Sequence, residues 1–215
     1  MRTAALLLTL LPALQAAAQE PLETKLVVTQ GGQEIGREEF TLRQSRGRGL
    51  PGSSLIAAAR YPANGPTTRL AATLERTADS ALAKFQLDVE SGGAVTVILA
   101  AGSGARLIVR TVAKGSESGR ELPGGPDVVL LDDQVFSLYN PVAELATAAG
   151  RTLTGIFPRS GRRVTFVARR ESGTAGAAGR VTLSGDITGT LVTDARGRLE
   201  RLEFPSKGTL VTRAE

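Results

Sequence analysis

Between Thr24 and Arg213 the chain repeatedly sets an apolar residue against a polar one at a spacing of two, and this alternation restricts the fold more than any other feature. Successive side chains of a β-strand point to opposite faces, so such a segment buries one face and wets the other. Lys84 to Glu90 is the clearest instance: Phe85, Leu87 and Val89 fall on one side, and Lys84, Gln86, Asp88 and Glu90 on the other. A strand that needs a core on one side only belongs to an antiparallel sheet.

The punctuation between these runs is that of hairpins. Thr24–Gln30 and Glu34–Arg43 flank Gly31-Gly32-Gln33, a short glycine turn. Ser54–Tyr61 and Thr68–Arg76 are separated by Pro62-Ala63-Asn64-Gly65-Pro66; Ala94–Ala100 and Arg106–Ala113 are separated by Gly102-Ser103-Gly104. Gln44–Ser53, containing Arg46-Gly47-Arg48-Gly49-Leu50-Pro51-Gly52, is too rich in Gly and Pro for a strand interior and predicts a mobile basic loop. Lys114–Asp127, with four glycines and two prolines, breaks the rhythm and closes the first half. Val128–Leu131 is a short apolar run, and after it the period changes.

Val135, Leu138 with Tyr139, Val142, Leu145 with Ala146, and Ala149 recur at three and four, which predicts a helix with one apolar face near residues 133–149. Asp132 or Asp133 is placed to cap its start and Gly150 to end it. Pro141 either kinks this helix or opens a second piece capped by Asn140. Strand patterns then resume over Arg151–Phe157, Arg163–Arg169, Gly179–Gly185, Thr188–Thr193, Leu199–Phe204 and Gly208–Arg213. Long antiparallel meanders manage their open edges by closing or curling. The expected fold is therefore mainly β: a curled antiparallel sheet or incomplete barrel, with one helix packed in or over its mouth.

Met1-Arg2-Thr3, the apolar run Ala4–Leu14 and Gln15-Ala16-Ala17-Ala18 have the form of a secretory signal peptide over residues 1–18, cleaved after Ala18. Residues 19–215 are then one domain, expected in the periplasm or outside the cell. No later apolar run has the roughly 20 residues of a membrane span, so the expected chain does not span a membrane. The absence of His and Cys removes the imidazole base, the thiolate nucleophile and the two commonest transition-metal ligands, leaving no cofactor or metal to expect. The net charge of +5 is small, Arg is interleaved with Asp and Glu, and two Tyr and six Phe are too few for a stacking surface; nucleic-acid binding is not expected.

Candidate chemistry is sparse. The adjacent Asp132 and Asp133 could bind a hard cation or do acid and base work, but short carboxylates before a helix more often serve its unpaired amides. Ser137 lacks the Ser-x-x-Lys spacing of a His-free nucleophile. The glycine pairs precede strands rather than helices, which reads as turns and not as phosphate loops. Arg159, Arg162, Arg163, Arg169 and Arg170 surround Phe157, Phe166 and Val167 in the one locally basic stretch with aromatics, suited to an anionic head group or to a solvated face.

Val128-Val-Leu-Leu-Asp-Asp-Gln-Val-Phe-Ser-Leu-Tyr139 and the tail from Gly189 through Pro205 to Arg213 resemble exported bacterial β-sheet proteins of uncharacterised function. The tail, a strand, an Asp-x-x-Gly turn, a second strand, Pro and a last strand, resembles the end of periplasmic half-barrel families, including those related in shape to lipoprotein carriers. The likeness covers roughly the last third of the chain. It implies a curved sheet around a helix and, by analogy, a cup for a greasy ligand. The expected function is that of a non-enzymatic envelope protein binding a lipid or other amphiphile on the concave face. Phe136 and Tyr139 would line or gate the site, Phe157 and Phe166 would floor it, and Arg169 would hold the head group. The alternatives are a scaffold that pairs a sheet edge with an envelope protein partner and a hydrolase acting without His.

Overall fold

A computed structural model describes residues 23–44, 52–63, 67–171 and 179–214. The signal-like segment 1–18 and the core of the predicted basic loop, residues 45–51, lie outside the described residues.

The described chain forms one sheet of fifteen strands. In chain order these are β1 (Glu23–Gln30), β2 (Gln33–Gln44), β3 (Ser53–Tyr61), β4 (Thr68–Arg76), β5 (Leu82–Ser91), β6 (Ala94–Ser103), β7 (Arg106–Ala113), β8 (Ser116–Pro123), β9 (Val128–Leu130), β10 (Arg151–Phe157), β11 (Arg162–Arg170), β12 (Gly179–Gly185), β13 (Gly189–Thr193), β14 (Leu199–Phe204) and β15 (Thr209–Arg213). Their spatial order runs from β8 back to β1, then from β15 back to β9. Two meanders are thus joined at the pairing of the first strand with the last, where Val28 stands opposite Val211.

The expected mainly-β fold is what the structure shows, and the sheet does not close into a barrel. Its two margins, β8 and β9, are consecutive in the chain. They are drawn toward each other: the Arg120 guanidinium on β8 donates to the Pro158 carbonyl beyond β10 at 2.6 Å. The alternation is obeyed almost throughout. On β5 Phe85 and Leu87 are buried, and on β3 Leu55, Ala57 and Ala59 are buried while Ile56, Ala58 and Arg60 face water. All six Phe belong to a single core on the concave side. Each fully buried Phe or Leu contributes roughly 1.5–3 kcal/mol relative to exposure, so a chain without disulfides is held by this face.

The expected helix near 133–149 is shorter and in two pieces. A 3-10 turn over Phe136–Tyr139 passes directly into α1, Asn140–Leu145, with Pro141 in its first turn where the missing N–H costs nothing. Of the two roles open to Pro141, it opens the second piece; Asn140 belongs to that piece rather than capping it. Gly150 does not end the helix. Its φ of +90° serves a turn whose Gly150 N–H donates to the Thr147 carbonyl, just before β10.

β9 and β10 are parallel, with Val129 opposite Gly155. Parallel neighbours require a crossover rather than a hairpin, and the two helical pieces are that crossover. It runs inside the curl, with Leu138, Asn140 and Val142 at 0 % exposure. Gly36 on β2 is buried because the Tyr61 ring of β3 lies where a Cβ would stand.

β8 is the strand that alternation does not reveal. In Ser-Glu-Ser-Gly-Arg-Glu-Leu-Pro only Leu122 packs against the core, so Lys114–Asp127 reads as a break while most of it pairs with β7. A charged margin with Pro at its end is the ordinary way to keep a sheet edge from recruiting further strands.

Candidate functional site

The plug formed by the two helical pieces carries most of the polar chemistry of the interior. At its start the first amides have no partner within the helix and must find one elsewhere. Neither Asp132 nor Asp133 caps them, contrary to the expectation from sequence. Glu38 of β2 does: its carboxylate accepts Phe136 N–H at 2.7 Å and Ser137 N–H at 3.0 Å. Glu38 lies on the inward phase of β2 with Phe40 and is 1 % exposed. Burial raises its carboxyl to about 7; the hydrogen bonds from Ser137 and Phe136 resist the rise, and the Asp132 charge adds to it.

The two aspartates have separate duties. Asp132, 2 % exposed, accepts the Gln134 amide at 2.8 Å and the Arg159 guanidinium at 3.0 Å. Burial raises its carboxyl and the Arg159 charge opposes that. Asp133 stays at the surface and pairs with Arg162 at 3.0 Å and Lys207 at 3.2 Å. The Tyr61 hydroxyl is buried with no hydrogen-bond partner among the described residues, and burial together with the charges of Glu38 and Asp132 holds it neutral.

The middle and end of the plug are tied as firmly. Asn140 donates to the Ser137 carbonyl at 2.6 Å and accepts the Leu199 amide at 2.8 Å, joining the plug to β14. Arg170 of β11 donates to the Ala143 and Ala146 carbonyls at the C-terminal end. Arg76 of β4, 4 % exposed, pairs with Glu144 at 2.8 Å and donates to the Ser80 carbonyl. Ser137 is at 0 % exposure with its backbone on Glu38, which makes it part of this fastening and puts its hydroxyl out of reach of an external substrate.

Where the plug meets β2, β14 and β15 the curl opens into a pocket of about 350 Å³. Ile35, Phe136, Tyr139 and Phe204 supply its apolar wall, and Arg162 and Lys207 its rim together with Asp133, which pairs with both. Tyr139 and Phe204 have ring centroids 5.4 Å apart, and Phe136 and Phe204 6.4 Å. Lys207 lies 5.9 Å over the Phe204 ring and Arg162 3.7 Å over that of Phe157; both cations are held over aromatic faces. Of the residues expected from sequence, Phe136 and Tyr139 line this pocket and Phe157 lies beneath Arg162. Phe166 is deeper in the core, opposite Leu153. Arg169 is on the wet side at the other end of β11, beside Thr147 and Gly150. The cations at the aromatic mouth are Arg162 and Lys207. Lys207 follows Phe204 of the same wall, and the Pro205–Lys207 turn before β15 brings it there.

A larger groove, about 750 Å³, crosses the outer face of β2–β6 over Ala58 and Ala71. Its rim balances Arg37, Arg60 and Arg69 against Glu39, Asp88 and Glu90, which gives it no net preference in charge. Among the described residues no group of three or more Asp, Glu, His or Cys side chains is placed to hold a metal ion, and no helix is long and apolar enough to cross a membrane.

No family model matches this sequence, and no curated protein does. Among solved structures the fold is similar to that of a DUF1089 family protein from Pseudomonas aeruginosa, with a TM-score of 0.50 and 15 % identity over 79 % of this chain and 90 % of the other. At that identity the likeness concerns the fold: a mostly β chain arranged over nearly the whole length of its neighbour.

Proposed function

We propose that this is an exported, non-enzymatic protein of the cell envelope that holds an anionic amphiphile at the mouth beside the plug. The observation that carries the reading is the pairing of an apolar aromatic wall with two cations on one rim, Ile35, Phe136, Tyr139 and Phe204 below Arg162 and Lys207, whose shared partner Asp133 is exposed to solvent. Small-molecule sites are concave and largely apolar, with a few placed polar groups that set orientation. The deeper concave face is taken up by the plug and the core, so the apolar part of the ligand lies along the mouth and its anionic head group takes the place of Asp133 beside Arg162 and Lys207. The signal-like start supports export, and the resemblance of the tail to periplasmic half-barrel families supports a greasy ligand.

Titration of the purified protein with a soluble single-chain fatty acid, followed by calorimetry, tests this. Saturable binding is expected, abolished by Ile35→Glu at the half-exposed wall. Lys207→Glu is expected to weaken the fatty acid about tenfold, the loss of roughly 1.4 kcal/mol, and to leave a neutral alkyl glycoside unchanged. Absence of saturable binding to the wild-type protein would overturn the reading.

A further inference from the structure

The concave face is apolar nearly everywhere, yet at the β8 margin it becomes polar and cationic. Thr111 on β7 stands opposite Ser118 on β8, and Val109 opposite Arg120, so these residues continue the inward phase of Leu107 and Leu122. With the β10–β11 turn they line a slot of about 350 Å³ whose polar side chains are Thr111, Ser118, Arg120, Arg159 and Ser160. Two arginines and three hydroxyls face it, and no carboxylate lines it. This is the seam where the curl fails to close.

Both guanidinium groups are held in place from behind. Arg159 donates to Gln134 at 2.8 Å and to the buried Asp132 at 3.0 Å. Arg120 donates to the Pro158 carbonyl at 2.6 Å and has no carboxylate partner among the described residues. Gly161, at φ +75°, leaves the space for it, since a Cβ there would run into the Arg120 guanidinium. A guanidinium offers five N–H donors, so each arginine keeps donors for a further acceptor after these bonds are made. Arginine forks fixed in position beside hydroxyl donors suit tetrahedral or planar oxyanions.

We infer that the seam is an oxyanion site, taking a phosphate group, with Arg120 and Arg159 as its cations and Thr111, Ser118 and Ser160 as supporting donors. It is separate from the mouth: the β10–β11 turn divides them, Arg159 serving the seam and Arg162 the mouth. The inference does not rest on the amphiphile reading.

Calorimetric titration with inorganic phosphate tests it on the wild-type protein and on Arg120→Gln, Ser118→Asp and Arg162→Gln. Ser118→Asp places a carboxylate in the slot from an exposed strand and leaves both arginines in position, so it serves even if Arg120→Gln disturbs the margin. Saturable binding is expected, weakened about tenfold or more in Arg120→Gln and Ser118→Asp and kept in Arg162→Gln. A parallel titration with lysophosphatidic acid separates the sources: tighter binding than phosphate, still dependent on Arg120, marks a lipid head group, and equal binding marks a free phosphate. No saturable phosphate binding, or binding that survives both seam variants, would overturn the site.

Discussion

The two ends of the plug are fastened by charges of opposite sign, and the one at the start titrates near neutral pH. At the start a carboxylate, Glu38, receives the unpaired amides of Phe136 and Ser137. At the finish Arg170 serves the Ala143 and Ala146 carbonyls while Arg76 pairs with Glu144. Each charge suits the backbone groups that a helix leaves unsatisfied at that end. A guanidinium stays charged at any ordinary pH, whereas Glu38 is poised near neutrality by its burial. The cations at the finish of the plug thus keep their charge through the neutral range, where the start titrates.

The sharpest way to break this contrast is at the finish. Arg76→Ala removes the guanidinium beside Glu144 and the donor to the Ser80 carbonyl. The guanidinium is buried but Glu144 is partly exposed, so the loss should fall below the about 3–5 kcal/mol of a fully buried pair and above about 1 kcal/mol, as read by urea unfolding. A change below 1 kcal/mol would mean that the pair behaves as an exposed one and that the end is held by packing alone.

The start of the plug is tested by pH. Glu38 has a folded value of about 7 against an ordinary 4.5. Between these values the folded protein binds more protons than the unfolded chain, so its stability falls as pH rises through the window. The shift corresponds to about 3 kcal/mol. Asp132, also raised by burial, adds a contribution of the same sign beginning lower. Chemical denaturation from pH 4.5 to 8 should show the decline, and Glu38→Gln should flatten most of it. A wild-type protein that gained stability over this range would contradict the assignment.

Asn140 at the middle should matter less. Asn140→Ala leaves the buried Leu199 amide unpaired, a loss of about 1–3 kcal/mol, measurable by the same unfolding experiment. The smallest effect is expected at Asp133, whose pairs with Arg162 and Lys207 lie in solvent. Asp133→Asn should cost at most about 1 kcal/mol, whereas Asp132→Asn, one residue away, should cost more because Arg159 and Gln134 both depend on it. Equal effects at the two aspartates would remove the distinction drawn between them.

Much of the sheet is legible from the residues. Thr68–Arg76, Arg106–Ala113, Arg151–Phe157, Gly179–Gly185 and Leu199–Phe204 have the same bounds in the structure as in the pattern. β8 is not legible because an edge strand has almost no core face to impose a period. Glu38 had a readable sign, a carboxylate on the apolar phase of Phe40, but nothing nearby tells what it binds: its partners are 98 and 99 positions away. The aromatic wall of the mouth is half visible in Phe136 and Tyr139, which share the plug. Of its cations, Arg162 falls in the basic stretch the pattern singles out, while Lys207 does not, since it comes from a turn near the end of the chain.

Local alternation and turn chemistry by themselves determined that this is a β meander with one helical interruption, because a strand's buried face and a hairpin's glycines are properties of neighbouring residues. Tertiary structure alone decided that the interruption runs within the curl, that Glu38 rather than an adjacent aspartate caps it, and that Arg120 meets the far margin. Those outcomes depend on which surfaces curvature brings together. Charges buried by that curvature must then be satisfied by whatever lies opposite.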